Sequence, residues 1–146
     1  MDIPVRPATI DDAAEIARLS AELGYPSSVQ QIEERLSSLL ANPDQFIAVA
    51  GHSGGVLVGW VAAESRLLLE SGRRGEITGL VVEAATRRSG VGARLLAAVE
   101  SWAENRGHAS IVVRSNVSRT ESHPFYVAHG YSQTKTQHVY AKRLAV

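Results

Sequence analysis

Apolar positions along this 146-residue chain follow two periods, and the switches between them mark out the elements. Ile10, Ala13, Ala14, Ile16, Ala17 and Leu23 fall on one side of a helix. Thr9 stands at its cap position, and Asp11 and Asp12 bring acid to its first turn. Gly24-Tyr25-Pro26 stops it. Ser28 with Gln31 opens a second helix, whose apolar side is Val29, Ile32, Leu36, Leu39 and Leu40, and Asn42-Pro43 ends it. Ile3 to Pro7 forms a short first strand. Phe46 to Ala50 and Val56 to Glu64 are β-rich runs joined through Gly51-His52-Ser53-Gly54-Gly55, which predicts an antiparallel hairpin.

Ser71 to Gly75 reads as a polar loop, and Glu76 to Val82 as a third long strand. A helix is expected from about Gly90 to Arg106, buried along Val91, Leu95, Val99, Trp102 and Ala103, with Gly107 just past its end. Ser110 to Arg114 is a short apolar strand. Strand, helix and strand from Glu76 to Arg114 make a βαβ unit, so its two strands are expected to be parallel. A short helix near Glu121 to His129 closes at Gly130, and Tyr131 to Thr134 with Gln137 to Leu144 reads as a final hairpin around Lys135. The sum is a single α/β (α+β) domain over residues 1–146: a mixed, mainly antiparallel sheet of about six to seven strands flanked by about four helices.

Composition narrows the function. Apolar residues make up 45% of the chain and charged residues 21%, enough for a packed core. The net charge is zero, which argues against a dedicated nucleic-acid or membrane-surface binder. Without cysteine, disulfides, thiolate metal sites and cysteine nucleophiles are excluded. No apolar run reaches the roughly 18 residues of a membrane span, and the N-terminus lacks a signal-peptide core, so a cytoplasmic protein is expected. The five histidines show no metal-ligand spacing, and no metal is expected. Trp60 and Trp102 read as core residues.

The most informative stretch is Leu80 to Leu96. An apolar strand runs into the basic, glycine-containing turn Arg87-Arg88-Ser89-Gly90-Val91-Gly92-Ala93, which opens a helix. Unpartnered N–H groups and the dipole of a helix start favour an anion, glycine permits its close approach, and arginine adds charge. The turn is a phosphate cradle. It is not a Walker A loop, which needs G-x-x-x-x-G-K-[ST]. It is not a dinucleotide fingerprint either, because Leu95 occupies the third glycine position and further βαβ units are missing.

What remains, Arg87-x-x-Gly90-x-Gly92 after Gly79-Leu80-Val81-Val82, resembles the signature of the GNAT superfamily of N-acetyltransferases. The resemblance continues with Asn116 and with Phe125-Tyr126-x-x-x-Gly130-Tyr131, and the element order fits over nearly the whole chain. It implies that Arg87, Arg88, Ser89, Gly90, Val91, Gly92 and Ala93 hold the pyrophosphate of acetyl-CoA. It implies that the backbone of Leu80, Val81 and Val82 pairs with the pantetheine arm and acetyl group. It implies further contacts with the coenzyme from Asn116, Arg119, His123, Phe125 and Tyr126. A capping or surface role competes for His123, and a solvated charge for Arg119.

Acetyl transfer to an amine needs a neutral amine, a stabilised oxyanion and a proton for the departing thiolate. Tyr126 matches the family's general acid. Glu76 is the candidate base: it lies four residues before Leu80, so the two are expected to share a strand face. Glu64 is the runner-up. The oxyanion partner implied is a backbone N–H near Leu80 to Val82. The function expected is transfer of acetyl from acetyl-CoA to a primary amine by direct attack in a ternary complex, with coenzyme A as product. The acceptor is a small-molecule amine or, alternatively, a peptide amine. A non-catalytic acyl-CoA-binding regulatory module is the competing reading, and homodimerisation stays open.

Overall fold

The computed structural model describes residues 3–115, 117 and 119–145. Five strands, β1 (Val5–Pro7), β2 (Gln45–Ala50), β3 (Gly59–Leu68), β4 (Gly72–Val82) and β5 (Ile111–Val113), form one sheet in sequence order. All neighbours are antiparallel except β4 and β5, which are parallel as the βαβ reading requires. The helices are α1 (Ala13–Glu22), α2 (Val29–Leu40), α3 (Val91–Asn105) and α4 (Ser122–Ala128). The chain divides into two compact units, Met1–Arg114 with the whole sheet and α1 to α3, and Ser115–Val146 with α4.

Strand alternation sorts the sheet of the first unit into two faces. Ile47, Val49 and Val81 pack with Ile16, Leu19 and Leu36 of α1 and α2, and Trp60 and Ala62 lie against that cluster. The opposite face meets α3: a Cβ at Gly59 would touch Val91 and Leu95, and one at Gly75 would touch Trp102 and Ala103. Trp102 also stacks on Phe46 at 5.5 Å, consistent with a packing role.

Local chemistry explains the element ends. Ser28 and Gln31 form a reciprocal capping box at α2. Asp12 accepts the Thr9 N–H at 2.8 Å and is held bidentately by Arg6 at 2.9 Å through both oxygens. Pairing and hydrogen bonding lower the Asp12 pKa against the desolvation that opposes them. At the end of α3 the His108 N–H reaches back to Ala103 O at 2.9 Å and seats the imidazole beneath the sheet. Its Nε2 lies 2.7 Å from Ser65 Oγ.

Burial of His108, helped by Arg106 and Arg73 and opposed by Asp44, lowers its pKa. The folded state therefore binds this proton less readily than the unfolded chain. Its contribution to stability is complete above the unfolded value of about 6.5 and falls as the pH drops below it. Urea midpoints at pH 7.5 and 5.5 are expected to differ more for the native chain than for His108→Gln; equal differences would remove His108 as the cause.

Three expectations change. The strand expected from Val56 begins instead at Gly59. Leu57 is drawn out of the ladder because its N–H donates to Glu15 Oε1 at 2.9 Å and its C=O accepts from Arg18 at 2.9 Å. The polar loop at Ser71–Gly75 is mostly strand: Arg73, Arg74 and Gly75 pair with Leu67, Arg66 and Ser65, so the turn is confined to Leu69–Ser71. The final hairpin is absent, since residues 131–145 hold no strand, and the described sheet has five strands rather than six or seven. Val139 and Tyr140 are each 89% exposed. An isolated two-stranded ribbon without an apolar face to bury is marginal in water.

Candidate active site

Sequence alternation placed Glu76 and Leu80 on one face; the structure separates them. The β3–β4 register runs Val61↔Leu80 and Ala62↔Gly79, then steps to Ala63↔Ile77 and Glu64↔Glu76. Thr78 is the extra residue of a β-bulge, and an inserted residue inverts the facing of everything beyond it. Leu80 and Ile77 therefore share the α3 face, while Glu76 lies with Gly79 and Val81 on the face of α1 and α2. Gly79 is bare for a reason: a Cβ there would lie 2.7 Å from the Trp60 indole.

The bulge also marks where the sheet opens. β5 pairs with β4 only at Gly75, Glu76 and Ile77. From Gly79 to Val82, β4 keeps its β3 partner on one side and has no strand on the other among the described residues. An open edge of this kind offers backbone N–H and C=O groups to an extended ligand. Leu80, Val81 and Val82, for which the family resemblance implies backbone contacts with the coenzyme, lie on this edge.

The edge leads directly into the anion cradle. After Val82 the chain makes a 3-10 turn at Ala84–Thr86. The Thr86 hydroxyl donates to Glu83 O at 3.0 Å, and the Ser89 N–H and hydroxyl both donate to Thr86 O. Arg87 Nε reaches back to Val82 O at 3.4 Å. Gly90 caps α3 at φ +88° with no side chain of its own, and the first intrahelical bond runs from the Arg94 N–H to Gly90 O. The N–H groups of Val91, Gly92 and Ala93 precede that bond and point out of the helix start. A Cβ at Gly90 would meet nothing within 4 Å, so the space before the helix is open. Arg87, Arg88 and Ser89 are exposed around it. These features fit a pyrophosphate.

Arg88 has φ +70°, a left-handed conformation that a side-chain-bearing residue pays about 1–2 kcal/mol to adopt. Arg88→Gly is expected to raise the unfolding free energy by about 1 kcal/mol while raising the KM for acetyl-CoA. Denaturation and initial-rate measurements on one preparation check both signs, and lower stability with unchanged KM would contradict the assignment.

Glu76 is buried and carries three guanidinium contacts: Arg74 at 3.1 Å, Arg66 at 3.4 Å and Arg114 at 3.8 Å. Glu64 lies directly opposite, bound by Arg66 at 3.5 Å and by Gln45 Nε2 at 3.1 Å. Arg66, Arg74 and Arg114 were not foreseen as partners of these carboxylates. Arg66 and Arg74 each stand two residues from a candidate carboxylate, and that spacing was the available signal.

The second unit builds its part around α4. Gly130, at φ +90°, ends the helix in a Schellman motif: the Gly130 N–H reaches Val127 O at 3.2 Å and the Tyr131 N–H reaches Tyr126 O at 3.0 Å. The motif brings Tyr131 back over Tyr126, with ring centroids 5.8 Å apart, while Phe125 meets Tyr126 edge-on at 5.2 Å. Tyr126 is thus fixed by aromatic neighbours on two sides. Burial raises its pKa, opposed by Arg119. Arg119 and His123 are exposed near the start of α4, and Phe125 is half-buried. Asn116 lies outside the described residues. Of the candidates, Glu76 and the stretch from Leu80 to Ala93 belong to the first unit, and Arg119, His123, Phe125 and Tyr126 to the second.

Among the described residues, no group of three His, Asp or Glu side chains is placed to hold a metal ion. Nor is any described helix long and apolar enough to cross a membrane.

A bulged strand with an open edge runs into a glycine-capped helix start, an arrangement that offers backbone groups to an extended ligand with an anionic end. Comparison with known proteins specifies it further: the chain belongs to the acetyltransferase (GNAT) family, whose model matches residues 10–131. Among curated relatives, the aminoglycoside N(6')-acetyltransferase type 1 of Stenotrophomonas maltophilia is 33% identical over 137 residues, covering 90% of this chain and 87% of that protein. The aminoalkylphosphonate N-acetyltransferase of Salmonella typhimurium is 29% identical over 132 residues, covering 89% and 85%. Among solved structures, AAC(6')-Iy in complex with a CoA-S-monomethyl-acetylneamine bisubstrate analogue superposes with a TM-score of 0.86 at 21% identity, covering 99% of this chain and 100% of that one. The chain is an N-acetyltransferase that uses acetyl-CoA.

Proposed function

We propose that the chain, acting as one catalytic domain over residues 1–146, transfers acetyl from acetyl-CoA to the primary amine of a small molecule by direct attack in a ternary complex. The observation that carries this reading is the continuity of the open β4 edge with the Gly90-capped start of α3, which offers backbone groups for an extended ligand and, at its end, for an anion. Support for a small acceptor comes from the curated relatives, which are named for aminoglycosides and aminoalkylphosphonates.

In the reaction the amine nitrogen bonds to the thioester carbonyl carbon and the carbon–sulfur bond breaks. The nitrogen's proton passes to Glu76, directly or through water, with Glu64 opposite as the second carboxylate. The thiolate takes its proton from the Tyr126 hydroxyl. Charge on the carbonyl oxygen is met by a backbone N–H of the strand from Leu80 to Val82. Arg87, Arg88, Ser89 and the N–H groups of Val91 to Ala93 hold the pyrophosphate, with Asn116, Arg119, His123 and Phe125 as further coenzyme contacts.

The test is thiol release from acetyl-CoA with a panel of small amines and of peptides bearing free N-terminal or lysine amines. Release with small amines is the expected result. Tight acetyl-CoA binding with no release on any acceptor would make the protein a non-catalytic acyl-CoA-binding module, and release with peptides alone would move the acceptor class.

A further inference from the structure

The face that carries Glu76 gathers guanidinium groups from three arginines around two carboxylates. In the β3–β4 register Glu64 stands directly opposite Glu76, and Arg66 directly opposite Arg74. Like charges directly opposite each other destabilise a sheet. Here the two like pairs are adjacent and offset each other crosswise, through Arg66–Glu76, Arg66–Glu64 and Arg74–Glu76 contacts of 3.4, 3.5 and 3.1 Å. Arg114 adds a third guanidinium 3.8 Å from Glu76. A second observation is independent of the pairing: Arg74 Nε is buried and has no acceptor. A buried donor left unmade is costly, and apolar residues at four such positions would hold a sheet at least as well. The cluster therefore has a use other than stability.

Its position suggests the use. Glu76 and Arg74 precede the Thr78 bulge by two and four residues, which puts the cluster about 10 Å along the strand from the open edge, at roughly 3.3 Å per residue. A small acceptor reaching the acyl group spans that distance. Guanidinium groups bind carboxylate and phosphonate through two parallel hydrogen bonds. An acceptor carrying only positive charge would place its cations against arginine; one carrying an acid group would meet the partly exposed Arg66 and Arg74 side chains with opposite charge.

We infer that the preferred acceptor is a zwitterion, a primary amine bearing a carboxylate or phosphonate group, and that Arg66 and Arg74 are its specificity-determining residues. The inference rests on the small-molecule reading above and narrows it.

The experiment compares kcat/KM by thiol release for 3-aminopropionate and 2-aminoethylphosphonate with propylamine and a polyamine. The acid-bearing amines are expected to exceed propylamine by about tenfold or more, the scale of one charge-assisted hydrogen bond. In Arg66→Gln and Arg74→Gln that ratio is expected to fall towards one, with partial recovery in the lysine variants and an unchanged KM for acetyl-CoA. Which acid is favoured separates carboxylate from phosphonate. Calorimetric binding of the same amines to the coenzyme A-loaded protein gives a readout independent of turnover. Arginine-dependent binding of the acid-bearing amines without turnover would sustain this inference while the transfer reading failed. Turnover of small amines with no acid preference, or with a preference unmoved by both glutamine variants, would overturn the inference and leave the transfer reading intact.

Discussion

Tyr126→Phe is expected to lower kcat by about 10²- to 10⁴-fold with little change in acetyl-CoA affinity, the usual range for removal of a positioned general acid. The substitution deletes the phenolic O–H and keeps the ring between Phe125 and Tyr131. The Schellman bonds that place the residue use only backbone groups and survive it. Because burial raises the Tyr126 pKa from about 10, the hydroxyl stays protonated through neutral pH, and any loss of rate from its ionisation falls above pH 10. Steady-state thiol release from pH 6 to 10 with calorimetric acetyl-CoA binding checks both statements. Full turnover in the phenylalanine variant would remove Tyr126 from the mechanism.

Leu95→Ala is expected to cost about 2–5 kcal/mol of stability. Leu95 is fully buried on α3, and its Cδ1 would sit 3.0 Å from a Cβ at Gly59, so helix and sheet close tightly around it. At roughly 2–4 °C per kcal/mol, the melting temperature falls by about 10 °C. The cradle lies at the same end of that helix, one turn earlier at Val91 to Ala93. Saturating acetyl-CoA binds the folded state alone and is expected to recover part of the loss. Calorimetry with and without acetyl-CoA tests this; a shift below 2 °C would show that the α3 face is packed more loosely than the burial of Leu95 indicates.

The cradle and the α4 segment were legible in the chain because each is a local hydrogen-bonding pattern. Strand, turn and helix start follow one another between Leu80 and Leu96, and the spacing of Tyr126, Gly130 and Tyr131 is that of a Schellman ending. The face of Glu76 was not legible. Strict alternation put it with Leu80, and one unpaired residue, Thr78, reversed that. Leu57 shows the same limit: its apolar side chain fits a strand, yet its backbone groups are taken by Glu15 and Arg18, some forty residues earlier in the chain. The expected hairpin after Tyr131 failed in the opposite sense, since β-rich residues without a face to bury do not make a ladder.

By itself, then, the sequence determined an anion site at the start of α3: the helix start, its glycine and its arginines are neighbours in the chain, and the N–H groups that bind an anion exist wherever such a helix begins. Tertiary structure alone decided what surrounds the proposed base. Glu64 and Arg66 lie on β3, Arg74 and Glu76 on β4 and Arg114 just past β5, and only cross-strand register brings these five charges from separate stretches of chain together.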